Sequence, residues 1–195
     1  MYGIYENNKI IAQFVVPMTM RSNQPVFVSD TLSLKRVVRK RAAQRWELDT
    51  RLTPLSTSAQ DLMVSFITKG HYGTLTIIVP QNYGVISART STSTPNAVGS
   101  AFSSQLTVTG NSGLISKGTF VNFTGDTKLY MTTSDLTDNG TLNIFPTLRK
   151  DVSGAMRHLD NVLMSCKYDT DTVIGMTYEN GTLMDNGIIK LVEVL

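Results

Sequence analysis

Along most of this chain apolar and polar positions alternate in short runs, the pattern of strands that bury one face. Residues 10–17 and 24–29 are short, apolar and rich in β-branched side chains, and each predicts a strand. A longer alternation follows. Leu34, Val38, Ala42, Trp46 and Leu48 share even positions with Arg36, Lys40 and Gln44, while Lys35, Arg39, Arg41, Arg45, Glu47, Asp49 and Arg51 take the odd ones. Charge crowds at 39–41, which predicts two strands, roughly 31–38 and 43–52, joined around Lys40. Pro54 stops the second. Ser56, Thr57 or Ser58 then offers an N-cap, and Leu62, Met63, Phe66 and Ile67 recur at helical spacing up to Lys69 and Gly70, predicting one helix near 58–69. Residues 74–79 form an apolar run closed by Pro80.

The texture changes after a polar stretch at 87–95, which predicts an exposed loop or a junction. Short strands are expected at 105–109, 119–123, 128–133 and 141–145, punctuated by Gly110, Gly113, Gly118, Gly125 and Asn139-Gly140, the rhythm of a small barrel or sandwich. Strands resume from Val162. Residues 173–178 precede Asn180-Gly181, and 188–194 follow Asn186-Gly187, both strong tight-turn pairs. The expected fold is mainly β. A β-sandwich-like domain with one α-helix takes residues 1–84 and 158–195, and an inserted small β-barrel takes 85–157.

Composition adds to this picture in three places. The charged fraction of 17% is low for a helical bundle and suits a β protein with polar turns. Cys166 is the only cysteine, so no internal disulfide is available, and folding in a reducing cytoplasm is expected. Residues 1–9 lack a signal-peptide layout, and no apolar run approaches the ~20 residues that span a bilayer. The net charge of +3 is also uneven. Residues 1–51 carry nine Lys/Arg against four Asp/Glu, and residues 52–195 carry nine against eleven.

Candidate chemistry is sparse. His71 and His158 sit in no metal-ligand spacing, and no phosphate loop, nucleophile elbow or dinucleotide fingerprint is present. His71 reads as a residue near a helix C-terminus, and Cys166 as a buried, inert thiol. Asp135 with Asp138, and Asp169 with Asp171, read as turn residues before they read as cation ligands. No enzyme activity, metal or cofactor is expected. The sharpest feature is the basic set Lys35, Arg36, Arg39, Lys40, Arg41, Arg45 and Arg51 with Trp46. Three readings compete: a phosphate-binding strip, which lacks interleaved stacking rings; a solvated face that protects a strand edge; and a protein interface, where Arg and Trp are favoured. The interface reading leads, with Asp135, Asp138, Asp169 and Asp171 as candidate acidic partners.

Three stretches carry a resemblance. Ser33-Leu34-Lys35-Arg36 through Ala43-Gln44-Arg45-Trp46-Glu47-Leu48 resembles the N-terminal β-hairpin of distal tail and related baseplate ring proteins of tailed bacteriophages. Pro54-Leu55, the helix to Gly70 and the strand to Val79-Pro80 follow in that family's order. Lys117-Gly118-Thr119-Phe120 through Lys128-Leu129-Tyr130 to Leu142-Asn143-Ile144-Phe145-Pro146-Thr147-Leu148-Arg149 is similar to a small barrel carried by its shorter members, and residues 188–195 resemble the returning last strand. The resemblance implies a structural virion protein, made in the host bacterial cytoplasm. It would form a ring of copies of itself, a hexamer, that joins the tail tube to the distal tail or hub. No membrane and no specific nucleic acid are implied. A second reading is a β-sandwich module that recognises host-surface carbohydrate, for which Tyr72, Tyr83 and Tyr130 would supply aromatics. A small hydrolase is a third, without an acid pair or triad to support it.

Overall fold

The structure is a computed structural model that describes residues 2–6, 9–30, 33, 35–40, 43–54, 73–159, 162–169, 177–180, 182–185 and 188–194. The helix expected near 58–69 lies outside these residues, as do His71, Tyr72, Asp171, Arg41 and the Asn186-Gly187 pair.

The chain is mainly β, with one short helix among the described residues. Six strands pair into a closed ring: β1 (Gly3–Glu6), β2 (Lys9–Asn23), β5 (Arg45–Pro54), β18 (Ile189–Glu193), β15 (Leu163–Tyr168) and β6 (Leu75–Ile78), with β6 returning to β1. This is the unit expected to be sandwich-like, and its ladders leave neither side open. Alternation built it. In β15, Met164, Cys166 and Tyr168 turn inward, and in β18 Ile189, Leu191 and Glu193 do. They meet Ile4, Ile11, Phe14, Leu48, Leu52 and Ile77 in one core. Gly3 is needed where β1 crosses β2, because a Cβ there would lie 1.9 Å from the Ala12 carbonyl oxygen. The register of β2 on β5 shifts between Val15 and Thr19, a bulge that bends the 15-residue strand.

The second ring runs β10 (Phe120–Phe123), β11 (Tyr130–Thr132), β13 (Gly140–Phe145), β8 (Gln105–Thr109), β7 (Asn96–Gly99), β14 (Val152–Arg157) and back to β10. Its core holds Leu106, Val108, Val121, Phe123, Tyr130, Leu142, Ile144 and Met156. The short ladder of β9 (Leu114–Ile115) and β12 (Leu136–Thr137) lies between its strands in sequence. The strand expected at 128–133 begins later, at Tyr130, because residues 126–129 turn to join the two rings, as described below. In the polar stretch, helix α1 (Tyr83–Ala88) precedes the loop, with Asn82 Oδ1 accepting from Gly84 N at 2.8 Å as its N-cap. Residues 89–95 are irregular.

The two rings pack side by side. Leu129 belongs to the first core, and Phe120, Met131 and Phe145 pack on it from the second. Trp46 sits at the seam, with its ring edge-on to Phe120 at 5.3 Å and 88° and its Nε1 donating to Leu129 O at 2.9 Å. Asn122 Nδ2 donates across to Leu163 O at 2.7 Å.

Candidate functional site

β3 (Val26–Asp30) and β4 (Arg36–Lys40) form a two-stranded ribbon that belongs to neither ring. Its register pairs Val26 with Lys40, Phe27 with Arg39, Val28 with Val38, Ser29 with Val37 and Asp30 with Arg36. Opposed residues share a face, so Val28, Val38, Asp30 and Arg36 line one side, and Phe27, Ser29, Val37 and Arg39 the other. Large apolar side chains are exposed on both faces: Phe27 54%, Val28 43%, Val37 49% and Val38 54%. A lone two-stranded ribbon is marginal in water.

The strand pairing differs from the one expected. β4 runs through Lys40 and pairs backward with β3, while β5 pairs with β2 and β18. A hairpin of 31–38 on 43–52 would have set the charges of 39–41 against Arg45. The observed pairing puts Arg36 opposite Asp30 and Arg39 opposite Phe27 instead.

The basic set is thus divided. Lys35, Arg36 and Arg39 are exposed on or beside the ribbon. The backbone of Lys40 ends it. Arg45 opens β5 and pairs with Glu47 at 3.0 Å, which together with Asn23 holds the Glu47 carboxyl below its ordinary range, the Asn23 hydrogen bond being the larger cause. Arg51 lines a shallow groove with Val15, Pro17, Thr19, Asp49 and Ile188. Trp46 is not on this surface. At 6% exposure it anchors the seam inside the chain. Two of the proposed acidic partners are used within the chain, joining the segment around β12 to the one around β9: Asp135 Oδ1 accepts from Lys117 N at 2.7 Å, and Asp138 Oδ1 from Gly113 N at 2.8 Å.

Among the described residues no group of three or more His, Cys, Asp or Glu is placed to hold a metal. Cys166 is fully buried against Leu75 O, and burial pushes its thiol pKa well up, away from the thiolate. His158 is 1% exposed, and burial, with the Arg89 charge second, lowers its pKa to about 4. Tyr130 is 0% exposed, so it offers no platform to a sugar.

Two features escaped the sequence. Phe102 stands 79% exposed at φ 66 on a turn braced by Phe102 N to Leu148 O at 2.8 Å. The seam also hides an ion pair, Lys128 Nζ to Glu193 Oε2 at 2.5 Å, with side chains 4% and 0% exposed. The signal for the pair was parity: Glu193 shares its register with inward Ile189 and Leu191. No protein-family model matches the chain, and no curated protein matches it by sequence.

Proposed function

We propose that this chain is a structural protein of a bacteriophage tail or baseplate. In this reading it forms a ring, of six copies, that joins the tail tube to the distal tail or hub. The observation that carries the reading is the β3–β4 ribbon. It presents Phe27, Val28, Val37 and Val38 to solvent, with Arg36 and Arg39 among them. An apolar strip bearing guanidinium groups suits a protein partner, because the apolar atoms provide the buried anchor and the charges fix orientation. Each of these side chains is already about half buried, so covering the rest contributes on the order of 1 kcal/mol apiece. A head-to-tail contact, ribbon of one copy on a different surface of the next, closes into a ring when the rotation allows. The resemblance of the sequence pieces, in their order, to distal tail proteins supports the number six and the tail context.

The test is the assembly state of the purified chain at high concentration, by light scattering and negative-stain microscopy, alone and with tail-tube ends. Rings of uniform diameter are expected, and Arg36→Glu with Arg39→Glu should abolish them while the melting temperature stays put. A wild-type chain that remains monomeric in both settings rejects the reading.

A further inference from the structure

The seam between the two rings holds chemistry that ring assembly does not use. Lys128 Nζ donates to Gln44 Oε1 at 2.6 Å, to Gln44 O at 2.9 Å and to Glu193 Oε2 at 2.5 Å. Gln44 is itself 6% exposed. An amine, a primary carboxamide and a carboxylate therefore meet at one buried nitrogen. We propose that Lys128 and Gln44 become joined by an intramolecular isopeptide bond, Nζ to Cδ, with Glu193 relaying the proton.

Position is the first support. The Gln44 carbonyl carbon is one C=O bond, about 1.2 Å, from the oxygen that Nζ already touches. A small rotation of the carboxamide brings nitrogen and carbon into the near-attack range of about 3–3.5 Å. Both partners are held. Lys128 N donates to Asp126 Oδ1 at 3.1 Å, and Asp126 is fixed in turn by Tyr130 OH at 2.9 Å and Arg149 Nη2 at 2.8 Å. Gln44 Nε2 donates to Ser22 Oγ at 3.1 Å, which turns the carbonyl toward the amine. Glu193 is clamped by Trp46 N at 3.0 Å and Leu129 N at 2.6 Å.

Burial is the second. It lowers the Lys128 pKa, as its largest influence, and so favours the neutral amine that attack requires. It also limits the contact of bulk water with the carbonyl, which slows competing hydrolysis.

The step balances without any other reactant. Nζ gives one proton to Glu193 and attacks Cδ, forming the C–N bond as the carbonyl π pair moves to oxygen. The tetrahedral centre collapses, the Cδ–Nε2 bond breaks, and Glu193 returns its proton to the departing nitrogen. The second Nζ proton leaves with it, so an ammonium and a primary amide become a secondary amide and an ammonium ion. Nothing is oxidised or reduced, and Glu193 ends as it began. Gln44 and Lys128 also line a cavity with Ala43, Phe102, Pro146 and Arg149, through which ammonium can leave. The product would tie two residues 84 apart in sequence and fasten one ring to the other.

Intact-mass spectrometry of the purified, folded and then denatured chain is the deciding measurement. The expected mass is one ammonia below that of the sequence. Trypsin should leave residues 42–45 attached to 118–149, uncut at Lys128. Glu193→Gln should restore the full mass, with a near-ultraviolet spectrum like the parent's to show that it folds. Full sequence mass in the folded parent protein overturns the proposal, whatever the variants do. So does a deficit that maps elsewhere, such as a succinimide at an Asn-Gly pair.

Discussion

Gln81 and Phe120 exchange two hydrogen bonds across the seam: Gln81 Nε2 donates to Phe120 O at 2.8 Å, and Phe120 N donates to Gln81 Oε1 at 2.9 Å. The side chain thus imitates one rung of a β-ladder between two closed rings. Gln81 is 6% exposed. Replacing it with Leu strands a buried donor and a buried acceptor, at about 1–3 kcal/mol each. Gln81→Leu should cost about 2–6 kcal/mol of stability by urea titration, whereas Gln81→Glu keeps the acceptor, loses the donated bond and adds the cost of burying a carboxylate.

Trp46 joins the seam twice, through Nε1 to Leu129 O and through its ring to Phe120. Trp46→Phe keeps the ring contact and loses the hydrogen bond, leaving the Leu129 carbonyl unpaired. A loss of about 1–3 kcal/mol is expected by denaturant titration. Trp46→Ala adds a cavity and should cost about 3–5 kcal/mol.

His158 gives stability a dependence on pH. Its pKa is near 4 in the folded chain and near the ordinary 6.5 when unfolded. Above about 6.5 both states hold it neutral, and its contribution is constant. As pH falls from there toward 4, the unfolded chain takes a proton that the folded chain refuses. Stability then declines by up to about 1.4 kcal/mol per pH unit from this residue. Urea midpoints at pH 7 and pH 4.5 should differ accordingly, and His158→Gln should reduce the difference. An equal difference in parent and variant would sink the assignment.

Val28 and Val38 face each other on the ribbon and are half exposed. Exchanging both for Thr preserves shape and strand propensity, so monomer stability should move by no more than about 0.5 kcal/mol. Self-association measured by sedimentation should weaken at least tenfold, since about 1.4 kcal/mol of lost burial corresponds to that factor.

Strand positions were largely legible because a half-buried strand must alternate, and Leu106, Val108, Leu142 and Ile144 do so plainly. The pairing of β4 was not. Alternation says which residues share a face but not which neighbour accepts the hydrogen bonds. Two adjacent valines, 37 and 38, break the alternation, and both face solvent. The basic residues cluster in sequence, yet Trp46 among them belongs to the interior. The Lys128–Glu193–Gln44 meeting was hidden for another reason: its members lie 65 and 84 residues from Lys128, and only packing brings them together.

The place of β18 also sets the order in which this molecule can be made. It inserts between β5 and β15, so the first ring keeps two open edges until residues 189–193 have left the ribosome. Residues 96–157 contain every strand of the second ring and can close before that. During synthesis the finished insert therefore hangs on an open sheet of β6, β1, β2 and β5, whose two edge strands are free to pair with neighbouring chains. Losing the last strand would leave that state permanent, so truncation there should yield aggregate with a folded insert inside it.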